Sequence, residues 1–282
     1  MVLSSDPQLS ASPTGWRAGL RLQFSTRGTQ TWLSRREHYG PLRVQRPFYP
    51  EREQGTCHVY LVHPPGGIVG GDELHIQVDA MDGAHALVTT PAATKFYRSD
   101  GKLARQLQQI ALGAAALEWL PQETIFYPGA HARSSTRIDL STGSKFIGWE
   151  IPCLGLPARD EYFATGQLAL DLELWRDGRP LLVDRLRIDG ESVARGALCD
   201  LAGHHAVGTL LAYPADAALL ALVRGVRSEE AQVAATLVDG VLMCRALAGQ
   251  AETVRRTFVA MWQAIRPCLL GVEAVLPRIW AT

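Results

Sequence analysis

The chain has 282 residues, is 47% hydrophobic and carries no formal net charge, with 28 basic and 28 acidic residues. This composition is sufficient for a substantial core and excludes an intrinsically disordered chain. It also argues against nucleic-acid binding, because there is no basic excess to displace counterions. No apolar run approaches the about 20 residues that a membrane-spanning helix needs.

The N-terminal residues and the cysteines indicate a compartment. Residues 1–14 predict a disordered leader, which leaves a single domain over residues 15–282. The leader has neither the basic start nor the apolar core of a secretion signal. The five cysteines show neither a CxxC pair nor the spacing of zinc ligands. An odd, scattered set is typical of reduced thiols, so we expect a cytoplasmic protein.

From Trp16 onwards the chain is a succession of short runs in which apolar and polar residues alternate or apolar residues dominate. Such runs, bounded by glycine and proline, predict β-strands. The predicted strands span residues 20–24, 31–35, 57–62, 74–78, 85–90, 103–112, 117–120, 133–140 and 146–151.

A β-hairpin is predicted over residues 168–188. Leu168, Leu170, Leu172 and Leu174 alternate with polar residues in its first strand, and the second strand spans residues 181–188. The connecting RDGRP segment contains the Asp-Gly pair that favours a tight hairpin turn.

Helices are predicted only late in the chain. Residues 216–224 and 228–238 are rich in alanine and leucine, and Ser228 is a suitable N-cap for the second segment. Residues 251–265 place apolar side chains on one stripe, and Pro267 predicts the end of this helix. A strand is predicted between them, at residues 241–247. The sequence therefore predicts a mostly β protein with a few helices in its C-terminal third.

A glycine-rich segment, HPPGGIVGGD at residues 63–72, separates two predicted strands. Gly66 and Gly71 have the spacing of a phosphate-binding loop, but Asp72 stands where that loop has lysine, and a carboxylate repels phosphate. Two interpretations remain open. Asp72 caps backbone amides of a structural turn, or the histidine and the acidic residues contact a metal or another polar partner.

No common catalytic motif is present, so the candidate functional groups are isolated polar residues. Glu150 lies between Trp149 and Ile151, and Asp184 follows three apolar residues and precedes Arg185. An isolated carboxylate that is buried in such a place pairs with a cation, binds a metal or takes up a proton. The alternatives are ion pairs with arginine or oxygen ligands lining a polar passage. Nickel(II) accepts imidazole and oxygen ligands, which a loose site can exchange. His204 and His205 are adjacent, and on a strand their rings point to opposite faces.

Several segments together resemble the urease accessory protein UreD (UreH) family. They occur in order over about residues 16–281, and their joint order makes the resemblance specific. They are GPLRVQRPFYPE from residue 40, HPPGGIVGGD from residue 63, TTPAATKFYR from residue 89, LEWLPQETI from residue 117, FIGWEI from residue 146, LWRDGRPL from residue 174 and PRIW from residue 277. The family usually has Arg-Pro after Cys-Leu-Gly, where this chain has Leu156 and Pro157, so a polar contact of that arginine is in doubt.

This resemblance implies a protein that is not an enzyme. Members act with the accessory proteins UreF and UreG on apo-urease and help to deliver nickel, so nickel is expected in transit and no cofactor is expected to be tightly bound. The implied fold is β-helix-like, with many short strands and an internal water-filled tunnel. The tunnel candidates that match are Asp72, Glu150, Asp184, Thr90 and Thr94, to which we add His63 from its place beside the glycine-rich segment.

Two other classes of function remain open. The first is a β-helical hydrolase or lyase that uses paired carboxylates such as Asp171 and Glu173. The alternative for this pair is surface charge on the hairpin. The second class is an interaction module that binds proteins and has no metal role.

Overall fold

The computed structural model describes residues 15–51, 53–194 and 201–281, so the predicted leader and Cys199 lie outside the described residues. Within these ranges the chain forms nineteen strands and three α-helices. The strands are β1 Arg17–Arg27, β2 Gln30–Tyr39, β3 Arg43–Val44, β4 Cys57–Val62, β5 Glu73–Ala80, β6 His85–Thr89, β7 Thr94–Phe96, β8 Ala104–Leu112, β9 Ala116–Leu120, β10 Thr124–Phe126, β11 His131–Leu140, β12 Lys145–Glu150, β13 Pro152–Leu156, β14 Glu161–Tyr162, β15 Gln167–Arg176, β16 Arg179–Asp189, β17 Ala206–Tyr213, β18 Gln232–Val238 and β19 Val241–Ala248. The helices are α1 Gly190–Ala194, α2 Ala217–Gly225 and α3 Ala251–Leu270, and short 3-10 helices span Pro157–Arg159 and Arg278–Ala281.

The first sheet is built around five parallel strands. β1, β5, β8, β11 and β15 lie in parallel, in the order β15-β11-β8-β5-β1, and the antiparallel strands β2 and β16 form the edges. Successive side chains point to opposite faces, so Leu74, Ile76 and Val78 of β5 are buried whereas His75 is exposed. The period of two that predicted these strands is the pattern of a sheet with one face against a core.

The second sheet closes the first one into coils. The chain runs through β5-β6-β7, then β8-β9-β10, then β11-β12-β13, and corresponding strands of the three coils pair in parallel. β17 runs antiparallel between β12 and β13, and β19 and β18 extend the sheet from there. This stacking confirms the predicted mostly β, β-helix-like architecture.

Two hydrophobic cores are separated by the second sheet. The inner core lies between the sheets and contains Phe24, Phe96 and Phe126. The outer core lies between the second sheet and the helices, and contains Phe258 and Trp262 of α3. None of the helices in the described ranges is long and apolar enough to span a membrane.

A buried ionic network holds the last turns of α3 on the second sheet. Arg266 donates to both carboxylate oxygens of Glu51 at 2.9 Å and to Glu118 at 2.9 and 3.0 Å. Glu51 also contacts His58 at 2.7 Å, and Trp262 donates to Glu118 at 2.6 Å. Arg266, Glu51, His58 and Glu118 expose none of their side chains. Because the two carboxylates flank one guanidinium, each buried charge has an opposite charge beside it.

The predicted hairpin is confirmed. β15 and β16 pair in antiparallel register, and the turn between them contains Asp177 and Gly178. Both residues have positive φ, at 47° and 78°, which is the backbone conformation that Asp-Gly pairs adopt in tight hairpins.

Two predictions about the late segments are wrong. Residues 228–238 do not form a helix, since Gln232–Val238 is the edge strand β18 paired with β19. The ladder of backbone hydrogen bonds outweighs the helix propensity of alanine and leucine there. The last helix does not stop before Pro267 but continues to Leu270, because the buried contacts of Arg266 and Leu269 hold it on the sheet. The predicted helix at 216–224 and strand at 241–247 are confirmed as α2 and β19.

Candidate internal passage

A cavity of about 330 Å³ lies inside the coils. Ile76, Gln106 and Ser134 line it from the first sheet, and Trp119 and Glu150 line it from the second. The segments that follow β4, β6 and β9 line its remaining wall. The cavity is therefore enclosed by several coils rather than by one loop.

The wall from the first sheet is polar at two adjacent levels. In β8 the inward positions between Ala104 and Ile110 are Gln106 and Gln108. They lie in register with Ser134 and Thr136 of β11, and Gln108 Nε2 donates to Thr136 Oγ1 at 2.8 Å. Four polar side chains therefore replace the apolar layer that occupies the other inward levels of these strands.

Two polar atoms of cavity-lining residues, one from each sheet, have no hydrogen-bond partner within the described part of the chain. They are Gln106 Oε1 and Trp119 Nε1, and both are inaccessible to outside solvent. Buried polar atoms are nearly always paired with protein or with ordered water. The cavity is large enough to hold ordered water beside these polar groups, although apolar side chains such as Leu61, Leu74 and Leu170 line much of the rest of its wall.

Glu150 lies at the inner end of the cavity. It accepts a hydrogen bond from Thr136, so Gln108, Thr136 and Glu150 form a continuous chain of donors and acceptors. Burial raises the pKa of Glu150 to about 7, the Thr136 hydrogen bond opposes this rise, and the charge of Asp184 adds to it.

A second, smaller space continues from Glu150 towards Asp184. It has a volume of about 20 Å³, roughly that of one water molecule. It shares Glu150, Pro152 and Leu170 with the main cavity and ends at Asp184 and Arg245. Arg245 forms an ion pair with Asp184, which is the structural alternative that the sequence left open for this carboxylate. Since their side chains are 33% and 22% exposed, this pair lies between the small space and solvent.

Three predicted residues line the other end of the cavity, which we call the mouth. They are His63, Thr90 and Thr94. Thr90 Oγ1 accepts the amide of Gln122 at 2.9 Å, which ties two mouth segments together. Burial lowers the pKa of His63, and the nearby charge of Asp72 works against that shift.

Asp72 has a structural position beside the mouth and is not among the residues that line the cavity. Its two oxygens accept the amides of Trp16 at 2.8 Å and Val69 at 3.0 Å. Asp72 therefore caps the glycine-rich turn, as the structural interpretation expects, and its charge reaches the mouth through His63. Its role as a cation contact stays a prediction.

The candidate groups do not form a preorganised metal cage. Among residues 15–51, 53–194 and 201–281, no group of three or more His, Cys, Asp or Glu is placed to hold a metal ion. His205 stacks on the ring of Tyr162, with 4.4 Å between the ring centroids. The donors along the cavity are single side chains at separate levels.

The carboxylates of the hydrolase alternative lie outside the coils, on the open face of the first sheet. Burial alone would raise the pKa of Asp171, but its ion pairs with Arg187 and Arg133 lower it. Glu173 accepts the indole N–H of Trp175 at 2.9 Å. A general acid needs a raised pKa, so this arrangement favours the structural interpretation of the pair.

Sequence reasoning missed the polar wall and Arg245. The alternation within the two predicted strands shows which positions share a face. Four positions on the inward face are polar: Gln106, Gln108, Ser134 and Thr136. Their shared level depends on the register between β8 and β11, which a single sequence does not show.

Comparisons with known proteins find the same family over nearly the whole chain. The model of the UreD urease accessory protein family matches residues 17–281. The chain is 48% identical to urease accessory protein UreD of Klebsiella aerogenes over 270 residues, which are 95% of this chain and 97% of that protein. It is 43% identical to the protein of that name from Pseudomonas putida (strain W619) over 284 residues, 100% of both chains. The protein of that name from Alcanivorax borkumensis is 43% identical over 276 residues, 95% of this chain and 93% of that protein.

Proposed function

The chain belongs to the UreD urease accessory protein family, with a role in urease maturation, and from this premise we propose that it is a non-catalytic scaffold that passes nickel to apo-urease through its internal cavity. The proposal includes UreF and UreG as the partners that assemble with it and a cytoplasmic location. The relatives are named accessory proteins rather than enzymes, which agrees with a non-catalytic role.

The observation that carries this proposal is the polar level inside the coils. A chain that needed only a stable β-helix would fill these positions with apolar side chains, as it does at Ile110 and Ile138. Instead, Gln106 and Glu150 face an enclosed space of about 330 Å³. Enclosed polar groups in a space of this size suit a hydrated ion.

The donor types suit nickel in transit. Nickel(II) accepts imidazole nitrogen and carboxylate oxygen, which His63 supplies at the mouth and Glu150 at the inner end. Because these donors are separated, no position offers the several simultaneous ligands that hold an ion tightly. The ion would then exchange from one contact to the next, and Asp184 with Arg245 would be the exit.

The first experiment blocks the cavity. Ser134→Trp places a large ring in the space, and Ser135→Trp places the same ring on the outer face of the same strand. Each variant is co-expressed with urease and the other accessory proteins, and the nickel content of purified urease is measured. We expect Ser134→Trp to reduce nickel to the level of cells lacking the chain, while Ser135→Trp retains it. Full nickel loading with Ser134→Trp, in a complex that assembles, contradicts the proposal.

The second experiment removes one charge at the proposed exit. Asp184→Asn keeps the shape and an oxygen that Arg245 can contact, and Asp189→Asn makes the same change at an exposed position of the same strand. We expect Asp184→Asn to lower urease activation with UreF and apo-urease still co-purifying. Equal activation by the two variants argues against Asp184 as a cation contact.

A further inference from the structure

The C-terminal residues 277–281 form a short segment that we call the strap. It contains the PRIW motif and includes the 3-10 helix Arg278–Ala281. The strap follows α3 and returns to the second sheet, where its contacts fall on the ends of neighbouring strands. The proposed function leaves this motif without a role.

Trp280 is the main contact of the strap. Its indole Nε1 donates to Thr89 Oγ1 at 2.9 Å, and Thr89 Oγ1 donates in turn to the backbone oxygen of Leu120 at 2.5 Å. Thr89 is the last residue of β6, and Leu120 is the last residue of β9. Trp280 is therefore hydrogen-bonded to the point where these two strands end.

The ring of Trp280 also reaches the end of β12. Its centroid lies 6.0 Å from that of Trp149 and 6.1 Å from that of Trp262 in α3. Trp149 Nε1 donates to the backbone oxygen of Pro121 at 2.8 Å. The strap thus contacts β12 directly and the residue after β9 through Trp149.

The first part of the strap contacts β4. Burial raises the pKa of Tyr60, whereas the charge of Arg278 and a hydrogen bond with the Ile279 backbone work against this rise. Tyr60 is buried and lies two residues before the end of β4. With β6, β9 and β12, this makes four parallel neighbouring strands that the strap crosses close to their ends.

Each of these four strands leads directly into the cavity wall. His63 follows β4, Thr90 follows β6, Pro121 follows β9, and Glu150 is the last residue of β12; all four line the cavity. We infer that the strap is a positioning element that holds the four strand ends in register and so keeps the cavity wall in the arrangement that the cargo needs. Trp280 is the positioning residue. This inference rests on the proposed function, since it assigns the strap to the same passage.

Amide hydrogen exchange tests whether the strap stabilises the cavity wall. Three backbone amides in the cavity wall report on it. Gln122 donates to Thr90 Oγ1 at 2.9 Å, Thr94 to Glu123 O at 3.0 Å, and Thr124 to Ile151 O at 2.9 Å. Trp280→Phe keeps a ring but loses the N–H donor, so we expect these three amides to exchange about five-fold faster, the effect of losing one hydrogen bond of ordinary strength. Trp280→Ala also loses the ring and should accelerate them further.

Trp16→Ala is the matched control, because it removes a tryptophan that is 65% exposed. It should leave these three amides unchanged, and the amide of Ile110 in the first sheet should not respond to any of the three variants. If both Trp280 variants exchange at the three wall amides like Trp16→Ala, or if the acceleration is equal at Ile110, the strap has no specific effect on the cavity wall and the inference is overturned.

The nickel dependence of urease activation tests whether this effect on the cavity wall matters for function. With the complex assembled, Trp280→Phe should raise the nickel concentration for half-maximal urease activation about five-fold and leave the maximal activation unchanged. If the variant only made the protein unstable, urease activation would fall by the same factor at every nickel concentration, including saturation. That result would overturn the assignment. Ser134→Trp separates the two proposals. If it blocks activation while Trp280→Phe keeps the wild-type nickel dependence, only the strap inference fails. If urease is fully activated with Ser134→Trp, the proposed passage through the cavity is itself contradicted.

Discussion

Glu150→Gln tests whether the inner end of the cavity holds a carboxyl group in a poorly solvated place. Glu150 is desolvated and lies near Asp184, so its ionised form is disfavoured in the folded protein. Glutamine has nearly the same shape and can still accept the hydrogen bond from Thr136, but it does not ionise. The two proteins should therefore differ in the pH dependence of their stability more than in their packing.

The magnitude follows from the pKa. The pKa of Glu150 rises from the ordinary 4.5 to about 7 in the folded chain, and at about 1.4 kcal/mol per unit this corresponds to about 3 kcal/mol. Below the unfolded pKa the group is protonated in both states and there is no difference. As the pH rises through the interval between 4.5 and about 7, the unfolded chain releases its proton first, so the wild type loses stability. Above this interval the loss is complete.

The assay is urea unfolding of both proteins at several values from about pH 4.5 to about pH 8. Relative to the wild type, we expect Glu150→Gln to gain up to about 3 kcal/mol of unfolding free energy across this range. Glu229→Gln, at an exposed position, is the control and should show no such trend. A difference between Glu150→Gln and the wild type that does not vary with pH would refute the reasoning.

Four further predictions concern stability. Arg266→Met leaves two buried carboxylates without their cation, so urea unfolding should show a loss of about 3–5 kcal/mol. Asp72→Ala removes the hydrogen-bond acceptor of the Trp16 amide and of the Val69 amide in the glycine-rich turn, and should lower the unfolding free energy by about 1–3 kcal/mol. Burial alone would raise the pKa of Glu118, but the His85 hydrogen bond and the Arg266 charge lower it to about 2; unfolding midpoints in urea should therefore fall as the pH drops from 4.5 towards about 2. Gln106→Leu should raise the unfolding free energy by about 1–2 kcal/mol in the same assay.

Most of the longer strands could be predicted from the sequence, including β4, β6, β9 and β12, which are buried at nearly every position, whereas β17 could not. β5 and β15 alternate cleanly, and both were predicted within a few residues of their bounds. β17 is buried at every position because it lies between β12 and β13 with a core on each side. It shows no period of two, and no strand was predicted there. The helix prediction at 228–238 failed because pairing with β19 is a tertiary effect.

The structure places some of the predicted passage residues at the main cavity and others elsewhere. His63, Thr90, Thr94 and Glu150 are among the residues that line the cavity, and their contact with a metal ion stays a prediction. Asp184 lines only the small space beyond Glu150, paired with an arginine sixty-one positions further along the chain. Such a pairing joins distant strands, and local sequence patterns carry no information about it.

The polar level inside the coils reduces stability, which is why Gln106→Leu is informative. Gln106 is buried, its Oε1 has no partner in the described part of the chain, and leucine is of similar size. Ile110, another inward position of the same strand, packs without such a cost, so folding alone favours an apolar residue at position 106 as well. The same substitution removes a hydration point from the proposed passage. Urease activation should therefore fall while stability rises, since the two properties place opposite demands on this wall. A Gln106→Leu variant that gained stability and activated urease fully would show that ion passage does not depend on the polar level.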